Sequence, residues 1–83
     1  MTYTHRNKGV CSSSVSFDID DDGIMRNVRF VGGCNGNTQG VARLAEGRPA
    51  KDVIAALRGI RCGMRSTSCP DQLAQGIEEA LGQ

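Results

Sequence analysis

The chain has no tryptophan, and its aromatics are limited to Tyr3, Phe17 and Phe30. With 39% apolar residues in 83, that scarcity leaves little bulk for a dense core. Domains this small often need a metal or disulfides to hold them together. Long apolar runs are also missing. The longest, Val53 to Leu57, is far too short to span a bilayer, so no membrane role is expected. Charge of one sign is not in excess. A net charge of +1 gives no electrostatic footprint for nucleic acid, and none is expected as a partner. The opening "MTYTHRNKGV" has no apolar core of the kind a secretory signal carries, which points to the cytoplasm. There, lasting disulfides are rare, and cysteines serve metal or redox chemistry instead.

Four cysteines are present: Cys11, Cys34, Cys62 and Cys69. No two are spaced as a CxxC pair, so the chain is not a zinc ribbon or knuckle. Their surroundings carry more information than their spacing. "SVSFDID", residues 14 to 20, alternates apolar and polar at Val15, Phe17 and Ile19, which predicts a half-buried strand. "DDDG" predicts a tight hairpin turn. "IMRNVRFV" predicts a second strand with Ile24, Val28 and Phe30 on one face and Arg26 breaking the pattern. A weaker strand is expected around residues 2 to 7. After "GGCNGN" the period becomes helical. Val41, Leu44 and Ala45 mark one short helix closed by Gly47, residues 50 to 58 a second with Gly59 behind it, and about 70 to 81 a third. Strands first and helices after predict an α+β fold: a small antiparallel sheet of two or three strands with three helices on one face. Without linker or repeat, residues 1–83 read as one domain.

Each cysteine falls at a boundary between these elements. Cys11 precedes the first clear strand, Cys34 lies between strand and helix, Cys62 follows a helix and Cys69 opens the last one. Such boundaries meet at one end of a sheet in a compact domain. Inert core cysteines would instead follow the strand and helix periods, which these avoid. Metals bind thiolate, and helix N-termini lower the cost of forming it, which suits Cys34 and Cys69. Gly32, Gly33, Gly36 and Gly63 allow the close backbone approach a bulky centre needs. Four thiolates in a tetrahedral array make a closed zinc site. In "RSTSCPDQL", Pro70 suits the first helical position and Asp71 the positive end of the helix dipole. Cys69 is then expected at the cap as a ligand, with Gln72 satisfying the cap in its place.

Other residues read more plainly. His5, close to the terminus, is expected to be solvated. Asp20, Asp21 and Asp22 form a solvated turn. Arg58, Arg61 and Arg65 flank Cys62 and would offset the negative charge of a tetrathiolate centre. Met25 and Met64 are expected to pack.

Taken together, "GVCS", "GGCNGN", "GIRCG" and "STSCPDQLA" resemble the TSCPD domain family, in particular its short stand-alone four-cysteine members. The same module occurs as the C-terminal domain of adenosylcobalamin-dependent ribonucleotide reductases. The resemblance implies a metal- or redox-active cysteine module and does not imply catalysis by this chain alone. With Cys11, Cys34, Cys62 and Cys69 as the site, the four-thiolate reading makes zinc the expected metal, and a redox dithiol of Cys62 and Cys69 is an alternative. The module would act through a protein partner, with a ribonucleotide reductase or an iron–sulfur or redox protein as candidates. The order of elements is also similar to the NifU/IscU-type iron–sulfur scaffold proteins. On that likeness Cys11, Cys34 and Cys69 occupy the scaffold's three cysteine positions, and an iron–sulfur cluster is the alternative cofactor. Cys62 has no counterpart there, and Ser13 stands where the scaffold has an acidic residue.

Overall fold

The computed structural model describes residues 1–33 and 35–82. Three strands, β1 (Thr2–Arg6), β2 (Ser12–Ile19) and β3 (Met25–Gly32), form one antiparallel sheet in the order β1-β2-β3. Three helices follow: α1 (Asn35–Ala45), α2 (Ala50–Leu57) and α3 (Cys69–Ala80). This is the α+β architecture expected from the sequence, and the short first strand is part of it.

The alternation in β2 turns Val15, Phe17 and Ile19 inward, where all three are buried. Leu73 and Ile77, one turn apart on α3, close over them, and α1 contributes Ala45 while α2 contributes Ala50 and Val53. Each large side chain sealed in this way adds about 1.5–3 kcal/mol. α3 lies on β1 and β2, α1 on β3, and α2 against α3. Against β1 the approach is close enough to require glycine. A Cβ at Gly76 would stand 2.7 Å from the Cβ of His5.

The β2–β3 hairpin turns on Asp20. Its carboxylate accepts the N–H groups of Asp22 (2.9 Å) and Ile24 (3.0 Å), while Gly23 takes a positive φ. β3 then departs from simple alternation. Ser16 pairs with Arg29 but Asp18 with Arg26, so β3 carries an extra residue there. Asn27 supplies the bulge with φ 54°, and the carboxylate of Glu46 accepts the N–H groups of Asn27 and Val28. As a result Met25 and Val28, three apart, both face the core. The inward position expected for Ile24 belongs to Met25.

Two further expectations change. Leu44, predicted on the buried face of α1, is 68% exposed, and Met64 lies fully in solvent rather than packing. Among the described residues, no helix is long and apolar enough to cross a membrane.

Candidate functional site

β2 begins irregularly, and that irregularity shapes the site. Ser12 pairs with Gly32 but Ser14 with Val31, so Ser13 bulges out and the Ser12 side chain turns inward, where it is 1% exposed. Gly32 and Gly33 both adopt positive φ. A Cβ at Gly33 would lie 3.0 Å from the Ser12 Cβ and 3.1 Å from its backbone nitrogen, a fit that only glycine allows. A Cβ at Gly32 would meet the carbonyl oxygen of Cys11 at 3.7 Å. The backbone that carries Cys11 and the glycine pair leading to Cys34 are therefore pressed together. Cys34 itself lies outside the described residues.

α3 brings in the next cysteine. Ser68 is its N-cap and accepts the Asp71 N–H at 3.1 Å, while its own hydroxyl donates to the Ile60 carbonyl at 2.7 Å. This corrects the cap reading. Serine fills the cap, Cys69 is the first helical residue and Pro70 the second, since a hydroxyl satisfies the helix end better than a thiol. Gln72 is occupied elsewhere. Cys69 is 6% exposed, and its sulfur lies 3.0 Å from the Ser12 hydroxyl, which also accepts a hydrogen bond from Asn7 Nδ2 at 2.8 Å.

Cys62 sits in the loop between α2 and α3. Its N–H donates to the Thr67 carbonyl at 3.1 Å, and its carbonyl accepts the Arg65 N–H at 3.0 Å, so it runs beside the segment entering α3. Arg65 Nη1 reaches the Gly9 carbonyl at 3.4 Å, tying the loop to the turn before Cys11. Asp71 anchors the other side. Its carboxylate, 2% exposed, accepts from the Gly59 N–H (2.6 Å), Arg58 (3.0 Å), Thr67 (2.5 Å) and Gln75 (2.9 Å). Burial pushes the Asp71 carboxyl up. Together the bonds from Thr67, Gly59, Gln75 and Arg58 outweigh it and hold the group below its ordinary value. Arg58 is thus spent on Asp71 and Glu78.

His5, expected in solvent, is buried at 6% exposure between β1 and α3. Its Nδ1 meets Glu79 and its Nε2 meets the Gln72 carbonyl oxygen, both at 2.9 Å. The Gln72 oxygen also accepts the Lys8 N–H at 3.0 Å, and its amide donates to Thr67 at 3.0 Å. Neither this network nor the Ser12 contact has a periodic signature, and pattern reading misses both. The glycine at 76, one turn behind Gln72, is the only sequence trace of the close crossing.

The segments bearing Cys11, Cys62 and Cys69 thus meet at one end of the sheet. Their side chains differ in exposure: Cys69 is buried, while Cys11 and Cys62 reach solvent. Among the described residues, no group of three or more His, Cys, Asp or Glu side chains stands close enough to hold a metal ion. The donor set is soft sulfur, which suits zinc or iron–sulfur chemistry rather than a hard cation.

A family model described as the TSCPD domain matches residues 1–81. No curated protein and no solved structure matches the chain.

Proposed function

The chain belongs to the TSCPD domain family, and from that premise we infer that it is a zinc-binding module that acts through a protein partner and catalyses nothing itself. Cys11, Cys34, Cys62 and Cys69 are its ligands. The observation that supports this reading most is the position of Ser12, which follows Cys11, packs against the glycine preceding Cys34 and contacts the Cys69 sulfur at 3.0 Å. Three of the four cysteine segments thereby share one buried contact. The fourth, at Cys62, is hydrogen-bonded to the strand of chain that enters α3.

Closing a four-thiolate centre requires the exposed side chains of Cys11 and Cys62 to turn toward Cys69. Both lie outside strands and helices, in connecting segments. A bound zinc would cross-link strand, loop and helix. Structural zinc typically contributes about 10–16 kcal/mol apparent, which would offset the sparse aromatic core.

The test is metal content per chain, with an ultraviolet–visible spectrum, on protein purified without oxygen or chelator. Colourless protein with about one zinc per chain is expected. Brown protein carrying iron and sulfide would replace zinc by an iron–sulfur cluster and make the chain a scaffold or carrier. Folded protein without metal would overturn the reading. Specific capture of a ribonucleotide reductase by the tagged chain would identify the partner as that enzyme.

A further inference from the structure

We propose that Ser12 is a positioning residue for the cysteine site, the middle member of a relay in which Asn7 donates to Ser12 and Ser12 donates to the Cys69 sulfur. The inference rests on the metal-binding reading and adds to it a group that sets the charge on one ligand.

The relay is built by the fold. Asn7 is fixed at the end of β1 by its N–H, which donates to the Ser13 carbonyl at 2.9 Å. Its side-chain Nδ2 then donates to the Ser12 hydroxyl oxygen at 2.8 Å. A hydroxyl has one proton and two lone pairs. With one lone pair committed to Asn7, Ser12 keeps its proton and a second lone pair for Cys69, 3.0 Å away, and either atom can donate while Cys69 is a thiol. The amide orientation follows from cost. Asn7 Oδ1 is buried with no partner, and the reverse orientation would leave a buried N–H without an acceptor, which native structures tolerate less than an unpaired carbonyl.

Once Cys69 is a thiolate it has no proton to offer, so the contact persists only with Ser12 as donor. The hydrogen bond then draws charge from the sulfur, and the N-terminus of α3 acts in the same sense, because Cys69 is its first residue. Ser12 and Cys69 are both buried, so water cannot replace the donor. The Ser13 bulge points Ser12 inward, while Ser13 faces out and donates to the Val31 carbonyl. Two adjacent serines thus have opposite roles.

Cobalt(II) in place of zinc gives the readout, since thiolate-to-cobalt charge-transfer absorption responds to charge on the sulfur. In Ser12→Ala the band is expected to move to longer wavelength and cobalt affinity to fall about tenfold, the usual scale for groups that orient ligands. Asn7→Ala should shift the band the same way by less, and Ser13→Ala should leave it in place. A folded Ser12→Ala protein with the wild-type band and affinity would overturn the relay. If Ser12→Ala does not fold, Asn7→Ala decides, an unshifted band counting against the proposal. Wild-type protein that takes up neither cobalt nor zinc would overturn the metal reading and the relay with it, an outcome distinct from a normal wild-type band that the variants fail to move.

Discussion

The Asp71 carboxylate accepts the backbone N–H of Gly59 at 2.6 Å, and this bond fastens the loop that carries Cys62 to the mouth of the helix that carries Cys69. Arg58, the C-cap of α2, leaves the helix with ψ 128°, which turns the Gly59 N–H out of the helical direction, and the positive φ of Gly59 then redirects the chain that follows. Thr67 and Arg58 converge on the same carboxylate from the two ends of the loop. A single buried side chain therefore closes the segment 58–68, which has no helix or strand of its own.

Asp71→Ala should be costly for that reason. It strands the Gly59 N–H and the Thr67 hydroxyl and releases the loop. Bonds to a charged acceptor contribute about 1.5–3 kcal/mol each, and partial rehydration recovers part of the loss, so a fall of about 3 kcal/mol in unfolding free energy is expected. Urea titration checks it. Surface variants such as Glu78→Ala, whose partner Arg58 is half exposed, should change stability by less than about 1 kcal/mol.

Asp18, Asp20, Asp71 and Glu79 are all held below their ordinary values, and acid should act most through Asp71 and Glu79, which tie α3 to its neighbours. Asp71 is held below its ordinary value by the four bonds that overcome its burial. Glu79 is held low chiefly by the hydrogen bond from His5, against an opposing effect of burial, with help from Tyr3. A carboxyl whose value is depressed in the folded state contributes its full stability above the unfolded value and loses it as pH falls through the folded one. The melting temperature should therefore stay flat with respect to these groups near neutrality and fall below about pH 4. Asp71→Asn should flatten that acid limb. An unchanged slope in the variant would exclude Asp71 as a source of it.

Gly76→Ala should destabilise, although alanine favours a helix by about 1 kcal/mol over glycine. The added methyl would fall 2.7 Å from the His5 Cβ and 3.1 Å from its Cγ. Both atoms sit close to the backbone of β1 and cannot swing clear. The methyl must push α3 away from the sheet, at about 1–3 kcal/mol for an overfilled core. The displacement would also lengthen the His5–Gln72 and His5–Glu79 bonds, so nuclear magnetic resonance shifts of the His5 ring should move with the loss of stability.

How much of this was legible in the sequence depends on whether the signal is periodic. Val15, Phe17 and Ile19, and Leu73 with Ile77, announced the sheet and α3, because burial on one face repeats every two residues in a strand and about every 3.6 in a helix. Asp-Gly and the glycines after α1 and α2 marked turns by their positive φ. Bulges have no such period. Asn27 moved the inward position from Ile24 to Met25, and Ser13 turned Ser12 into the interior. His5 lies near the chain end, a position that points to solvent, yet β1 is an edge strand covered by α3, and that packing buries the ring. The four cysteines stood out as boundary residues, yet the hydroxyl against Cys69 lay hidden in a run of three serines.

The same boundary residues carry the last prediction. Cys69→Ser replaces a buried sulfur by a smaller hydroxyl already facing Ser12 at hydrogen-bond range, so in metal-free protein it should cost little beyond about 1 kcal/mol. With metal, the loss of one thiolate opens the tetrahedral set and should abolish retention, and Cys34→Ser should do the same. The two contributions separate with a chelator. Wild-type protein should melt well above either variant and fall to their level when a chelator is added, while the variants should show no further change. If both variants keep full metal and the wild-type melting temperature, the four cysteines do not share a site. If the wild-type protein ignores the chelator but Cys69→Ser melts lower, the Cys69 sulfur acts through packing against Ser12, and the domain is held by its core and the Asp71 and His5 networks without metal.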